Sequence, residues 1–129
     1  MNENGFTLIE ILITVSLILI LSSIGVPIYN GYIKESKINL AKSNLNSIYL
    51  AEINYFYENH RYYITGTTCG NHNEALIEDL FLGEAVINKD LFKFCVIEDN
   101  DGFIAKAIGD NDQEITIDNM NNLKVMNKG

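Results

Sequence analysis

A single carboxylate, Glu10, stands near the start of an apolar run that opens at Phe6 and continues to about Ile28. An acidic side chain at the centre of a bilayer costs roughly 2.5–3.5 kcal/mol on insertion scales, and one retained there usually has a partner and a task. No Lys, Arg or His lies between Glu10 and Lys34. The partner is therefore expected on another chain, or at an amine created by cutting this one, and the chemistry is recognition of a cation rather than turnover. The remaining chemistry-bearing residues are sparse. Cys69 and Cys95 are the only cysteines, and His60 and His72 the only histidines, with no zinc-type ligand spacing. Asp99 and Asp101, or Asp110, Asp112 and Asp118, are hard oxygen ligands for calcium if their turns converge, but Asp and Asn also suit turns for local reasons, and no twelve-residue EF-hand loop is present. There is no nucleophile elbow and no phosphate-binding glycine loop. No catalytic residue, metal or cofactor is expected.

The run that carries Glu10 is long enough as a helix, roughly 34 Å, to cross a hydrocarbon core of about 30 Å. It is longer than the core of a secretory signal, and the residues before it, Met1-Asn2-Glu3-Asn4, lack the basic start of one; Ser22-Ser23-Ile24-Gly25 is the weaker alternative of a cleavage region. Lys34 and Lys37 follow the run, a distribution that by itself keeps that side in the cytoplasm, whereas the cysteine pair favours an oxidising compartment. With 129 residues and a net charge of −8, the chain has room for one small domain beyond the run, and it lacks the clustered Lys and Arg that non-specific DNA binding needs.

Gly5-Phe6-Thr7-Leu8-Ile9-Glu10, followed at once by the apolar run, resembles the type IV prepilins, the family of type IV pilins and pseudopilins. The resemblance implies that a membrane prepilin peptidase cuts between Gly5 and Phe6 on the cytoplasmic side and N-methylates Phe6. Glu10 then pairs with the terminal amine of a neighbouring subunit during assembly. It further implies a homo-oligomeric helical filament built by pilus or secretion machinery in the inner membrane. The precursor is held in membrane lipid before assembly, and the subunit ends in an extracellular pilus or a periplasmic pseudopilus. Within this family the chain is read as a structural pilus subunit, for adhesion, motility or DNA uptake. A pseudopilin of type II secretion, or a minor pilin acting as a binding module, is the alternative. The chain is then a substrate of an enzyme and not an enzyme. The leader departs from the family in carrying Glu3 and no basic residue.

The elements that position these residues follow from periodicity. The expected organisation is a leader over 1–5, a transmembrane or filament-core helix over 6–28, an amphipathic continuation over 29–58, and a globular head over 59–129. Ile38, Ala41, Leu45, Ile48 and Tyr55 recur at helical spacing, with Glu52 read as a skipped position in the stripe. Gly25 and Pro27 mark a break: proline removes a backbone donor and glycine lowers helix stability. A kink is the simple reading, and the family suggests loss of helical order there on assembly. Beyond the helix, residues 59–73 read as a loop, with His60, Arg61 and Tyr62 as surface or packing residues, and 74–82 as a short helix. Strands are expected at 91–97, 103–108, 114–117 and, at an edge, 123–126, separated by Asp- and Gly-rich turns. Short connections favour an antiparallel meander of three to four strands, so the fold class is α+β, a long helix packed on a sheet, pilin-like. An even cysteine count in an exported domain makes a Cys69–Cys95 disulfide the natural reading, with two separate buried thiols as its competitor. The bridge would pin the loop to the sheet and stabilise the head by roughly 3.5 kcal/mol through the loss of chain entropy in the unfolded state.

Overall fold

The computed structural model describes residues 5–87, 90–110 and 113–126. Helix α1 runs from Leu8 to Asn59, followed by a single short turn, α2 (Asn73–Ala75), which passes into a π-helical turn at Leu76–Leu80. Four strands complete the chain: β1 (Lys93–Asp99), β2 (Gly102–Ile108), β3 (Glu114–Asp118) and β4 (Leu123–Met126). They form one antiparallel sheet in the order β1-β2-β3-β4, the meander that the short turns require. The chain divides into two compact units, Met1–Ser36 and Lys37–Gly129.

In the first unit the helix is apolar on all sides, and its large side chains from Phe6 to Ile28 are all exposed. Its few hydroxyls are absorbed by the helix itself. Thr14, Ser16 and Ser22 donate to the carbonyls of Glu10, Leu12 and Ile18 four residues back, and Ser23 donates to that of Ile20, at 2.7–2.8 Å. Such bonds leave no polar hydrogen facing an apolar surrounding.

In the second unit, residues 37–59 of α1 are one-sided. Ala41, Leu45, Ile48 and Glu52 are fully buried and Asn44 nearly so. This stripe joins Phe94, Val96, Phe103, Ala105, Ala107, Ile115 and Ile117 of the sheet in one core. The pairing register explains the fit: Ala107 lies between Phe94 and Ile115, and Ala105 between Val96 and Ile117. Small residues on the second strand flanked by large ones leave a trough for a helix. The helix ends where His60 takes a left-handed conformation (φ 57°) and gives its N–H to the carbonyl of Phe56 at 2.7 Å. At the start of β2, a Cβ on Gly102 would run into the Asn119 side chain, which would have to swing aside to admit it.

The outer edge of β1 is closed by the loop after the helix, through side chains and through the backbone N–H groups of Thr65 and His72, which donate to the carbonyls of Val96 and Phe94 at 2.9 and 3.2 Å. Asn73 accepts from the N–H of Phe94 at 2.6 Å and donates to the carbonyl of Phe92 at 2.9 Å. The Thr65 hydroxyl both accepts from the N–H of Val96 and donates to its carbonyl, each at 2.9 Å. Between these two clamps Cys69 and Cys95 form a disulfide with a Cα–Cα distance of 5.5 Å. The loop after the helix thereby becomes an edge cover, which suppresses strand addition on that side.

Three sequence expectations change. Glu52 is not skipped: it occupies the buried stripe, and its Oε2 accepts from the N–H of Tyr63 at 2.8 Å, while Oε1 has no hydrogen-bond partner among the described residues. Helical spacing put a polar residue on the core side, and the loop supplied the donor that makes this tolerable. The expected helix over 74–82 is instead a three-residue α turn and a π turn, in which Phe81 donates to the carbonyl of Leu76 at 3.0 Å. The wider turn accompanies a fully buried Leu76, with Ile77, Leu80 and Phe81 packed against the core. The first strand starts at Lys93 and ends at Asp99, so Leu91 and Phe92 precede it.

Burial pushes the Glu52 carboxyl up from 4.5 to about 8, against the opposing hydrogen bond from Tyr63. Unfolded, the group ionises near 4.5; folded, it keeps its proton to about 8. Between those values the native state holds a proton that the unfolded state releases, so stability is full below pH 4.5 and is lost as pH rises toward 8. The loss is bounded by roughly 5 kcal/mol. Thermal unfolding followed by near-UV circular dichroism should show a melting temperature that falls from pH 5 to pH 8 in the native chain and stays nearly level in Glu52→Gln. Asn73→Ala should destabilise the second unit by about 2–3 kcal/mol, because it orphans a buried donor and a buried acceptor. Hydrogen exchange at the Phe94 amide is the direct readout, and it should accelerate more in Asn73→Ala than in Asn73→Asp, which keeps the acceptor.

Candidate functional site at the start of the helix

Gly5 precedes the helix, Phe6 is 85% exposed, and Thr7 is the residue from which the helix is built. The carbonyl of Thr7 accepts the first helical bond, from the N–H of Ile11 at 3.2 Å. Its hydroxyl accepts from the N–H of Glu10 at 3.3 Å, and its own N–H donates to Glu10 Oε2 at 3.1 Å. This is a reciprocal capping box, two orphan donors met by the two side chains three residues apart. The Thr-x-x-Glu spacing is readable in the chain, but a search for a countercharge to Glu10 passes over it, because backbone N–H groups carry no formal charge.

The box changes what Glu10 needs. One carboxylate oxygen is held by the backbone of its own chain, and the helix N-terminus is favourable for an anion. No Lys, Arg or His forms an ion pair with it among the described residues, where the recorded ion pair is Lys106–Glu114 at 3.1 Å. The Glu10 carboxylate is therefore held in fixed orientation at the exposed start of an apolar helix, on the N–H of the peptide that joins Phe6 to Thr7. Such an arrangement can receive an ammonium group.

Gly5 has no structural need to be glycine in its own fold. A Cβ there meets nothing within 4 Å, and its φ is not in the left-handed region. Gly25 and Pro27 sit inside α1, which continues through them without interruption. Proline has no N–H for the carbonyl of Ser23, so the helix lacks one rung there, and Gly25 has open space around it.

Among the described residues, the acidic turns of the sheet do not gather into a cation site. Asp118 is committed to its own hairpin: Oδ1 accepts from the N–H groups of Met120 and Asn122, both at 2.9 Å, and Oδ2 from the Asn122 amide at 3.2 Å. Burial opposes ionisation of its carboxyl, but these hydrogen bonds and Lys124 hold it below the usual carboxylate range. Among the described residues no group of three or more His, Cys, Asp or Glu side chains converges on a point. Asp112 and residues 1–4 of the leader lie outside the described residues. The run itself is the one described helix long and apolar enough to cross a membrane, with a peak mean hydropathy of 2.5.

Comparison with known proteins agrees with this geometry. The family described as the prokaryotic N-terminal methylation motif matches residues 1–26. The chain is 43% identical over 61 residues to the type IV major pilin protein PilA of Myxococcus xanthus, a match that covers 47% of this chain and 28% of that relative. No solved structure matches the chain significantly. The chain thus carries a prepilin-type methylation motif on an apolar helix, has a helix-on-meander fold, and is similar over 61 residues to a type IV pilin of which it covers about a quarter.

Proposed function

We propose that this chain is a structural subunit of a type IV pilus, processed by a prepilin peptidase between Gly5 and Phe6, N-methylated at Phe6, and assembled through its apolar helix. The observation that carries the reading is the oriented carboxylate of Glu10, without an ion-pair partner among the described residues, four residues from Phe6 on a stretch of helix whose large apolar side chains are all exposed. Cutting after Gly5 creates an ammonium group at Phe6. In a stack of parallel subunits shifted along their helices, the Phe6 amine of one copy reaches the Glu10 carboxylate of the next. In a medium of low dielectric this pair attracts strongly, and loss of either member leaves a costly bare charge. Burial of the apolar side chains against other copies supplies the rest of the driving force.

An exposed, unstrained Gly5 suits a peptidase that must close on the backbone, since a side chain there would stand between enzyme and scissile bond. Gly25 and Pro27, where the helix has one rung fewer, form the segment that loses helical order as subunits slide into register. Before assembly the run lies in inner-membrane lipid; afterwards the subunit stands in an extracellular filament. The relative's description as a major pilin favours a pilus over a type II secretion pseudopilus. Adhesion, motility and DNA uptake are the roles open to such a filament.

The decisive experiment is the intact mass of the protein from sheared cell-surface filaments. The expected mass lacks Met1–Gly5, gains one methyl group and lacks two hydrogens at Cys69 and Cys95. An uncut chain confined to the envelope would overturn the processing step, and the processed chain found only in the envelope would transfer the reading to a pseudopilus. Glu10→Ala should be cut and methylated normally yet yield almost no filaments when it is the sole subunit, whereas Gly5→Leu should accumulate uncut. Abundant filaments of Glu10→Ala alone would remove the assembly role of the carboxylate.

A further inference from the structure

We infer that a cleft in the second unit, between the end of α1 and the β1–β2 hairpin, is a binding site for a neutral sugar ring. The cleft has a volume of about 540 Å³, and Tyr55, Phe56, Arg61, Tyr62, Glu98 and Asp101 are among its lining residues. That size is within the range of small-molecule sites.

Its aromatic wall is preorganised. Phe56 and Tyr62 stack with ring centroids 4.7 Å apart and an interplanar angle of 26°. Tyr62 in turn meets the fully buried Phe103 edge to face at 4.8 Å, and Tyr55 meets Tyr63 in the same way at 5.7 Å. The backbone behind the wall is tied down by the bond from Tyr63 N–H to Glu52 and by the Tyr63 hydroxyl, which donates to Asp79 at 2.6 Å. These rings are held by the core and do not need a ligand to order them.

Three charged groups of the cleft are unspent. Arg61, Glu98 and Asp101 take part in no side-chain hydrogen bond or ion pair among the described residues. The set discriminates by charge. A cationic ligand suits the aromatic faces and the two carboxylates but meets Arg61; an anion suits Arg61 but meets both carboxylates. A neutral ligand with an apolar face and a rim of hydroxyls satisfies all of them. Its ring C–H groups lie on the aromatic wall, while its hydroxyls donate to Glu98 and Asp101 and accept from Arg61. A pyranose ring has that pattern.

This inference stands apart from the filament reading and is tested on the full chain in detergent micelles. Saturation-transfer NMR with galactose, glucose, mannose and N-acetylglucosamine as probes should show transfer from aromatic protons to the ring protons of at least one sugar, with a dissociation constant on the order of 1 mM. Arg61→Ala and the double variant Glu98→Gln/Asp101→Asn change exposed groups only, and an unchanged amide spectrum checks that they fold. Each should weaken that sugar by about tenfold or more, the loss of one to two charge-assisted hydrogen bonds. Absence of transfer to all four sugars overturns the assignment. So does transfer that persists equally in both variants, or binding of choline or inorganic phosphate in preference to every sugar.

Discussion

A stretch of helix that is apolar on every side leaves a large surface uncovered, and most features of the first unit answer to this. Its large side chains from Phe6 to Ile28 remain between 48% and 85% exposed. At about 25 cal/mol for each Å² removed from water, covering them outweighs any single hydrogen bond in the molecule by a wide margin. The helix is prepared for an apolar surrounding: its hydroxyls turn back on its own carbonyls, and its first turn is closed by Thr7 and Glu10. What it does not neutralise is the charge of Glu10. An apolar surface and one oriented charge are two demands that lipid meets only in part.

The second unit solves the opposite problem. There the same helix has one apolar stripe, and it is covered by its own sheet, with Ala105 and Ala107 making room between larger neighbours. The sheet is small, and its weak points are treated locally. One edge is clamped by Asn73 and Thr65 and stapled by the Cys69–Cys95 bridge, whereas β4 at the other edge stays exposed along its length. Glu52 is the cost of this economy. It joins helix and loop through Tyr63, but only one of its buried oxygens is met. A protonated acid is the form that such surroundings hold.

Much of this architecture is legible in the order of the residues. Strong periodicity marks the helix, and runs of β-branched and aromatic residues between Asp- and Gly-rich turns mark all four strands, with β4 at its observed bounds. The signal fails where a residue's role depends on a distant segment. Glu52 reads as a gap because its donor, Tyr63, comes from a loop with no regular pattern. The segment 74–82 reads as an ordinary helix because side-chain spacing hardly distinguishes a four-residue from a five-residue hydrogen-bond step. Asn73 and Thr65 carry no signal, since an edge clamp needs only a short polar side chain at the right point of a loop. The Thr7–Glu10 box is local and therefore readable, but the formal charge of Glu10 points to a cation and hides the backbone donor beside it.

What the sequence determined by itself was the chemistry at the N-terminus: residue types, their order and their distance from the apolar run are all local, and a helix of fixed rise converts sequence spacing directly into geometry. The cysteine count likewise limited the bridge to one possible intrachain pair. What only the tertiary structure decided was which polar residues are buried and what meets them. Burial of Glu52, closure of the β1 edge by Asn73 and Thr65, and the aromatic cleft beside Arg61 each bring together segments separated by a loop or more. Such encounters depend on how the helix lies on the sheet, and no local pattern of residues encodes that.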